Sequence, residues 1–273
     1  MQSLLLMLAA FGTSAVGTLG GLGGAIILVP ILVSTGMTPA EVAPLGLLSV
    51  VVGSTAAAQR QMRAHTTNHR IGVVTESAST TGAIVGSLAA GIISENALTL
   101  VLAGVALFAA VAGGRRKGTR WKPDPDAPQE VVGEWVGTLH GAYSLDGAVV
   151  PYRTRRIGAG LAAMGISGLI TGLSGVGGGF IKTPATSELM HAPVKVASST
   201  TTFSIGITGA SALFVKMAQG DLNVHFGAAV LVGSFVGGQI GSLVQSRLSP
   251  PTIRRFLSMM LIVVAAILVA RVL

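Results

Sequence analysis

The 273-residue chain contains no cysteine. That excludes disulfides, thiolate metal sites, iron–sulfur clusters and cysteine catalysis, and leaves the redox compartment open. Charge is scarce, because 10% of the residues are Asp, Glu, Lys or Arg where a soluble domain carries roughly a quarter. Aromatic residues are only 4%, a low bulk that suits close helix packing. What fills the chain is apolar and small: 50% hydrophobic residues, 38 glycines and a mean hydropathy of +0.72. So many glycines would weaken helices in water, but small residues let helices approach closely within a bilayer. The composition therefore implies an all-α, multi-pass protein of the cell membrane. The start, Met1-Gln2-Ser3-Leu4, lacks the basic stretch of a signal peptide, so the first segment is expected to remain in the mature chain.

The net charge of +8 is placed in clusters between apolar segments. That is the pattern of cytoplasmic loops facing anionic lipid, and it argues against nucleic acid as a partner.

A glycine-rich stretch followed by proline occurs twice. An offset of 154 lays Pro30, Pro39, Gly21, Gly23 and Gly24 on Pro184, Pro193, Gly175, Gly177 and Gly178, and an offset of 155 lays Gly72, Gly82 and Gly86 on Gly227, Gly237 and Gly241. The chain thus reads as a duplication: 1–113 a first membrane repeat, 114–156 a polar insert, and 157–273 a second repeat. About eight hydrophobic segments result, at 4–36, 42–58, 71–93, 97–112, 157–189, 194–215, 225–244 and 252–270. As one helix, 4–36 would reach about 50 Å, against about 30 Å of hydrocarbon. Its glycines at the centre predict two half-helices, either a broken span or a re-entrant hairpin. Thr38 and Pro39 mark the start of the next helix.

The insert carries both tryptophans and both tyrosines. Strand-type residues around Asp146-Gly147 predict a β-hairpin over 138–152, the alternative being a disordered linker. Eleven of the eighteen basic residues lie in 59–70 and 114–156, which places both stretches on the cytoplasmic side. If the broken segments cross fully, the halves are parallel. If they are re-entrant, the halves are inverted and the basic residues divide fifteen to two, with Lys182 inside the membrane. This sharper bias and the length of 4–36 favour inversion.

Few residues inside the segments can carry chemistry. Lys182 follows the second glycine run at the start of a half-helix, where an ammonium and a helix N-terminus both favour an anion; the alternative is snorkelling to the interface. Ser198, Ser199, Thr200, Thr201 and Thr202 open the sixth segment, as ligands for an oxyanion or as helix-packing hydroxyls. Glu76 reads as a partner of Lys182 or a proton carrier, or else as a residue near the interface, the side its closeness to Arg70 favours. His65, His69, His140, His191 and His225 show no metal-ligand spacing, and the glycine runs lack the strand and acidic residue of a dinucleotide site. An anion bound near the midplane would meet backbone N–H groups around Gly24 and Gly178, with Lys182 supplying the charge.

The stretches Gly-Leu-Gly-Gly-Ala-Ile-Ile-Leu-Val-Pro at 21–30, Gly-Val-Gly-Gly-Gly-Phe-Ile-Lys-Thr-Pro at 175–184, Val-Ala-Ser-Ser-Thr at 196–200 and Gln-Gly-Asp-Leu at 219–222 resemble the sulfite exporter TauE/SafE family of membrane permeases. The resemblance spans both halves. It implies a non-enzymatic secondary transporter of a small anion, such as sulfite, an organosulfonate or a related sulfur-containing or carboxylate anion, with no cofactor or metal. The family's paired glycines map to Gly21, Gly23, Gly24, Gly177, Gly178 and Gly179. The chain departs from the family at Ala43-Pro44-Leu45-Gly46, where Thr-Ser is frequent. The expected partners are the anion and membrane lipid, with homo-oligomerisation left open, and an anion channel or membrane scaffold is the competing function.

Overall fold

A computed structural model of the protein describes residues 2–19, 23–63, 65–115, 132–145, 148–245, 259, 262, 263 and 265–270. In the first half the chain forms α1 (Gln2–Leu19), α2 (Ala25–Ser34), α3 (Pro39–Arg63), α4 (His69–Ala90) and α5 (Glu95–Arg115). A small sheet follows, of β1 (Gly133–Glu134), β2 (Gly141–Leu145) and β3 (Ala148–Tyr152). The second half holds α6 (Ile157–Ser174), α7 (Gly179–Pro184) running into a π-helical turn at Ala185–Leu189, α8 (Val194–Ala218) and α9 (Val224–Gln245). The described residues of the expected 252–270 span are helical, and the rest of it lies outside the described residues.

The duplication is visible in the element bounds. α1, α3 and α4 lie on α6, α8 and α9 at an offset of 155, with matching lengths of 18, 25 and 22 residues. Local chemistry sets several of these ends. Thr38 and Glu41 cap α3 reciprocally: the Glu41 carboxylate accepts from the Thr38 N–H at 2.9 Å and the Thr38 hydroxyl from the Glu41 N–H at 3.3 Å, a capping box. The Asn68 side chain accepts from the Ile71 N–H at 2.8 Å and starts α4. Gly175, at φ +70°, ends α6 in a left-handed turn that glycine adopts without a Cβ penalty.

Helix directions show how the halves are related. Gly233, Gly237 and Gly241 of α9 meet Met7, Phe11 and Ala15 of α1 in turn, and Gly168 and Gly172 of α6 meet Ser79 and Ala83 of α4. Each pair therefore runs in parallel. Between the equivalent helices α3 and α8 the order reverses, with Gly206 at Ser54 and Gly209 at Val50 and Leu47. Repeat-equivalent helices that run antiparallel make the repeats inverted. α3 also runs parallel to α9, Leu48 meeting Gly227 and Gly53 meeting Gly238, so α1 and α3 point the same way and the chain must return between them. α2 makes that return, with Gly23 beside Val50 and Val29 beside Gly46. Likewise α7 runs back along α6, from Gly178 at Ser167 to Met190 at Gly160. Each glycine-broken segment is thus a hairpin, and the two enter from opposite ends.

Outward faces are apolar: Leu4, Leu8, Val73, Leu88, Phe108, Phe214 and Val232 are exposed. Pro39–Arg63, Ile157–Ser174 and Val224–Val244 are long and apolar enough to cross a membrane. The interior holds hydroxyls, with Ser234 Oγ 2.8 Å from Ser49 Oγ and Ser14 Oγ donating to the Ser234 carbonyl at 2.9 Å. Lipid is as apolar as leucine, so such a chain gains little by burying leucine and packs through small residues and hydrogen bonds.

The sheet is antiparallel, with Tyr143 opposite Val150 and Gly133 opposite Ala142; the expected turn residues Asp146 and Gly147 lie outside the described residues. It is fastened to the helices by Asn68, whose Nδ2 donates to the Tyr152 hydroxyl at 2.8 Å. Burial pushes the Tyr152 phenol up to about 12, the Asn68 hydrogen bond opposing and the Glu134 carboxylate adding to the rise.

The close packing can be tested at α4 and α6. A Cβ on Gly168 would overlap the Ser79 carbonyl, whereas one on Gly12 meets nothing within 4 Å. Gly168→Ala should lower stability by about 1–3 kcal/mol, the range for overpacking, and Gly12→Ala should not lower it. Melting temperatures in detergent check this, and equal values for the two variants would refute the close approach.

Candidate functional site

Lys182 lies on α7 one turn after Gly178, whose carbonyl accepts from the Lys182 N–H at 3.0 Å. Its side chain has no exposed surface (0%), and Glu76 is 5% exposed. The two form an ion pair, Lys182 Nζ to Glu76 Oε2 at 2.8 Å. This places Glu76 deep inside, not at the interface that its sequence position favoured. α4 runs beside α6, so the residue two turns into α4 faces the half-helix that α6 turns back into. The ammonium also donates to Thr208 Oγ1 at 2.5 Å and approaches Ser204 Oγ at 3.5 Å. Thr208 in turn donates to Glu76 Oε1, and Thr80 Oγ1 stands 3.5 Å from the same oxygen. Three elements, α4, α7 and α8, thereby close a ring of charge and hydroxyl. Snorkelling is excluded for Lys182, since its ammonium is consumed inside the protein.

Ser204 and Thr208 are functional candidates beyond those that the sequence pattern singled out. Their signal was present: with Thr201 they stand at i, i+3 and i+7 of an apolar helix, one face of α8.

The expected hydroxyl run opens α8 and divides in two. Ser199 Oγ lies 2.9 Å from Thr66 Oγ1, and Thr200 Oγ1 accepts from the Asn68 N–H at 2.9 Å. These two tie α8 to the loop before α4. Ser198 is half-buried, and its carbonyl accepts from Thr202 Oγ1 at 3.0 Å. Thr201 is different. Its hydroxyl is buried with no partner among the described residues, as is that of Thr183, next to Lys182. An unpaired buried hydroxyl costs about 1–3 kcal/mol, so two of them, one a turn before Ser204 and one adjoining Lys182, suit a site that takes in an acceptor.

The glycines form the hairpin tips. Gly23, at φ +80°, leads into Gly24, which caps α2 against Ser14; Gly21 lies outside the described residues. In the second half Gly177 precedes Gly178, which caps α7 and is tied to α6 by Ser167 Oγ donating to its carbonyl at 2.9 Å, and Gly179 opens α7. The Gly175 tip lies on Ala43 and Gly46 of α3, where a Cβ on Gly46 would come 2.6 Å from the Gly175 carbonyl. Within Ala43-Pro44-Leu45-Gly46, that contact leaves no room for a Cβ at Gly46. Thr201 is the repeat equivalent of Gly46.

Removing one member of a buried ion pair costs about 3–5 kcal/mol, because the other is left uncompensated. Lys182→Met should therefore lower thermal stability by that order. Lys182→Met combined with Glu76→Leu should recover most of the loss, and a double-mutant cycle measured by melting in detergent checks it. Additive losses would mean that the pair does not form.

The chain matches the family model described as Sulfite exporter TauE/SafE over residues 6–268. A protein of Bacillus subtilis (strain 168), named as the probable membrane transporter protein YunE, is 23% identical over 278 residues, covering 98% of each chain. No solved structure matches the chain. A multi-pass membrane protein of two inverted repeats, with the glycine hairpins at its centre, the chain belongs to the sulfite exporter TauE/SafE family of membrane transporters.

Proposed function

We propose that the protein is a secondary transporter of a small anion, namely sulfite, an organosulfonate or a related sulfur-containing or carboxylate anion, and that it carries out no chemistry on it. The observation that carries this reading is the Lys182–Glu76–Thr208 ring, buried where the two inverted halves meet. A charged residue kept at such depth is expensive and marks an ion pathway. Inverted halves around a central site are the architecture of alternating access. The anion is held by Lys182, by Thr201 with Ser198, Ser199 and Thr200 at the opening of α8, and by N–H groups of the tips at Gly23, Gly24, Gly177, Gly178 and Gly179, Gly21 lying outside the described residues. Its oxygens replace the partners that the Thr201 and Thr183 hydroxyls lack. Repeats at 1–113 and 157–273 flank a cytoplasmic insert at 114–156, oriented by its eight basic residues.

Counterflow in proteoliposomes tests the reading, with labelled sulfite and labelled methanesulfonate as probes. Uptake should saturate and be accelerated by unlabelled anion inside. Thr201→Val, which keeps the shape and removes the hydroxyl, should raise the half-saturation concentration about ten- to a hundredfold, corresponding to about 1.5–3 kcal/mol for a hydrogen bond to a charged group. Flux without acceleration would instead indicate a channel.

The absence of cysteine makes the sidedness simple to measure. A cysteine introduced at Thr138 or Arg63 should be protected from an impermeant thiol reagent in intact cells, and one at Asn223, at the opposite end, should be labelled. The reverse pattern would invert the molecule.

A further inference from the structure

We infer that Glu76 is a tethered anion that holds the substrate's place on Lys182, and that a transported monoanion therefore moves together with one proton, carried on Glu76. This rests on the transport reading and adds its coupling.

The two carboxylate oxygens of Glu76 are gripped separately, Oε2 by the Lys182 ammonium at 2.8 Å and Oε1 by the Thr208 hydroxyl. That is a two-point cradle for two oxygens on one centre, a shape shared by carboxylates, sulfonates and sulfite. An arriving oxyanion of this class finds its cradle already filled by a chemically similar group. It binds only by displacing that group.

Charge balance then dictates the rest. The groups facing Glu76 are Thr80 from its own helix, Lys182 from α7, and Ser204 and Thr208 from α8. Lys216, further along α8, is engaged by Asp221 at 3.0 Å. Among the described residues Lys182 and Glu76 are thus the charged groups of the ring, and together they are neutral. A monoanion entering alone would leave the ring with one uncompensated negative charge in a water-poor interior, which costs several kcal/mol. A proton from the aqueous side, added to the displaced Glu76 carboxylate, gives a neutral carboxylic acid. The ammonium then faces the new anion, and the ring is neutral again. On release the proton leaves with the anion and the carboxylate returns to Lys182. No bond of the anion is made or broken.

Charge balance also prevents slippage. A proton on Glu76 without an anion would leave the Lys182 ammonium unpaired, and an anion without a proton would leave the excess charge. Both half-loaded states carry a buried net charge, whereas the empty and doubly loaded states carry none. Transport of a monoanion is therefore electroneutral symport.

The experiment uses full-length protein in liposomes and labelled methanesulfonate, which stays a monoanion at every working pH, so that any proton that moves belongs to the protein. With the outside more acidic, the wild type should accumulate the probe about tenfold per unit of pH gradient, since one unit is about 1.36 kcal/mol. It should do so independently of membrane voltage. Glu76→Gln should equilibrate the probe without accumulating it. Wild-type equilibration without accumulation, or equal accumulation by Glu76→Gln, would overturn the coupling. If Glu76→Gln fails to insert, or if sulfite exchanges while methanesulfonate does not, infrared difference spectra of the wild type with and without sulfite decide. A protonated-carboxyl stretch should appear on binding, and its absence overturns the inference. Counterflow of neither anion would overturn the transport reading itself, a result distinguishable from transport without a proton.

Discussion

Two pairs of helices lie so close that there is no space between them for a Cβ atom. Gly82, Gly86, Gly168 and Gly172 make this approach between α4 and α6, and Gly233, Gly237 and Gly241 make it between α9 and α1. Each pair joins the leading helix of one half to the fourth of the other, so the halves are interlocked. In lipid this is how helices gain attraction, since apolar side chains gain nothing over lipid tails and backbone contact must be close to count. The position of each hairpin follows from it. α6, held against α4, delivers its returning half-helix to the face of α4 that carries Glu76.

A duplicated frame does not make a symmetric site. At the offsets of the repeat, Lys182, Glu76 and Thr208 correspond to Leu28, Leu231 and Gly53. Only Ser204 finds its like, in Ser49. One hairpin therefore ends in an apolar cluster, with Ile26, Ile27, Leu28 and Val29 all buried, and the other in the charged ring. The second holds the buried ion pair of Lys182 and Glu76 with the Thr208 hydroxyl.

At the start of α4, two turns before Glu76, Asn68 connects three parts of the molecule. Its Oδ1 starts α4, its Nδ2 holds Tyr152 of the sheet, and its N–H meets Thr200 of α8. Asn68 is 1% exposed, so each of these bonds is shielded from water and strengthened by it. The sheet is thereby tied to the helix that carries Ser204 and Thr208.

The sequence by itself determined the solvent, the duplication and the broken segments, because hydropathy, glycine spacing and proline position are properties of the chain that need no partner. It also marked Thr38 and Pro39 as the start of α3, and placed Lys182 within an apolar segment while leaving burial and snorkelling both open. It was ambiguous where the answer depended on what lies opposite. Glu76 stands six residues from Arg70, and only the packing of α4 beside α6 brings it 106 positions along the chain to Lys182. Ser204 and Thr208 carried a weak stripe signal that gained meaning from the ammonium beside it. Parallel and inverted halves differ in one property, the direction of α3 against α8. Hydropathy has no sign along a helix axis, so tertiary contact alone decided it.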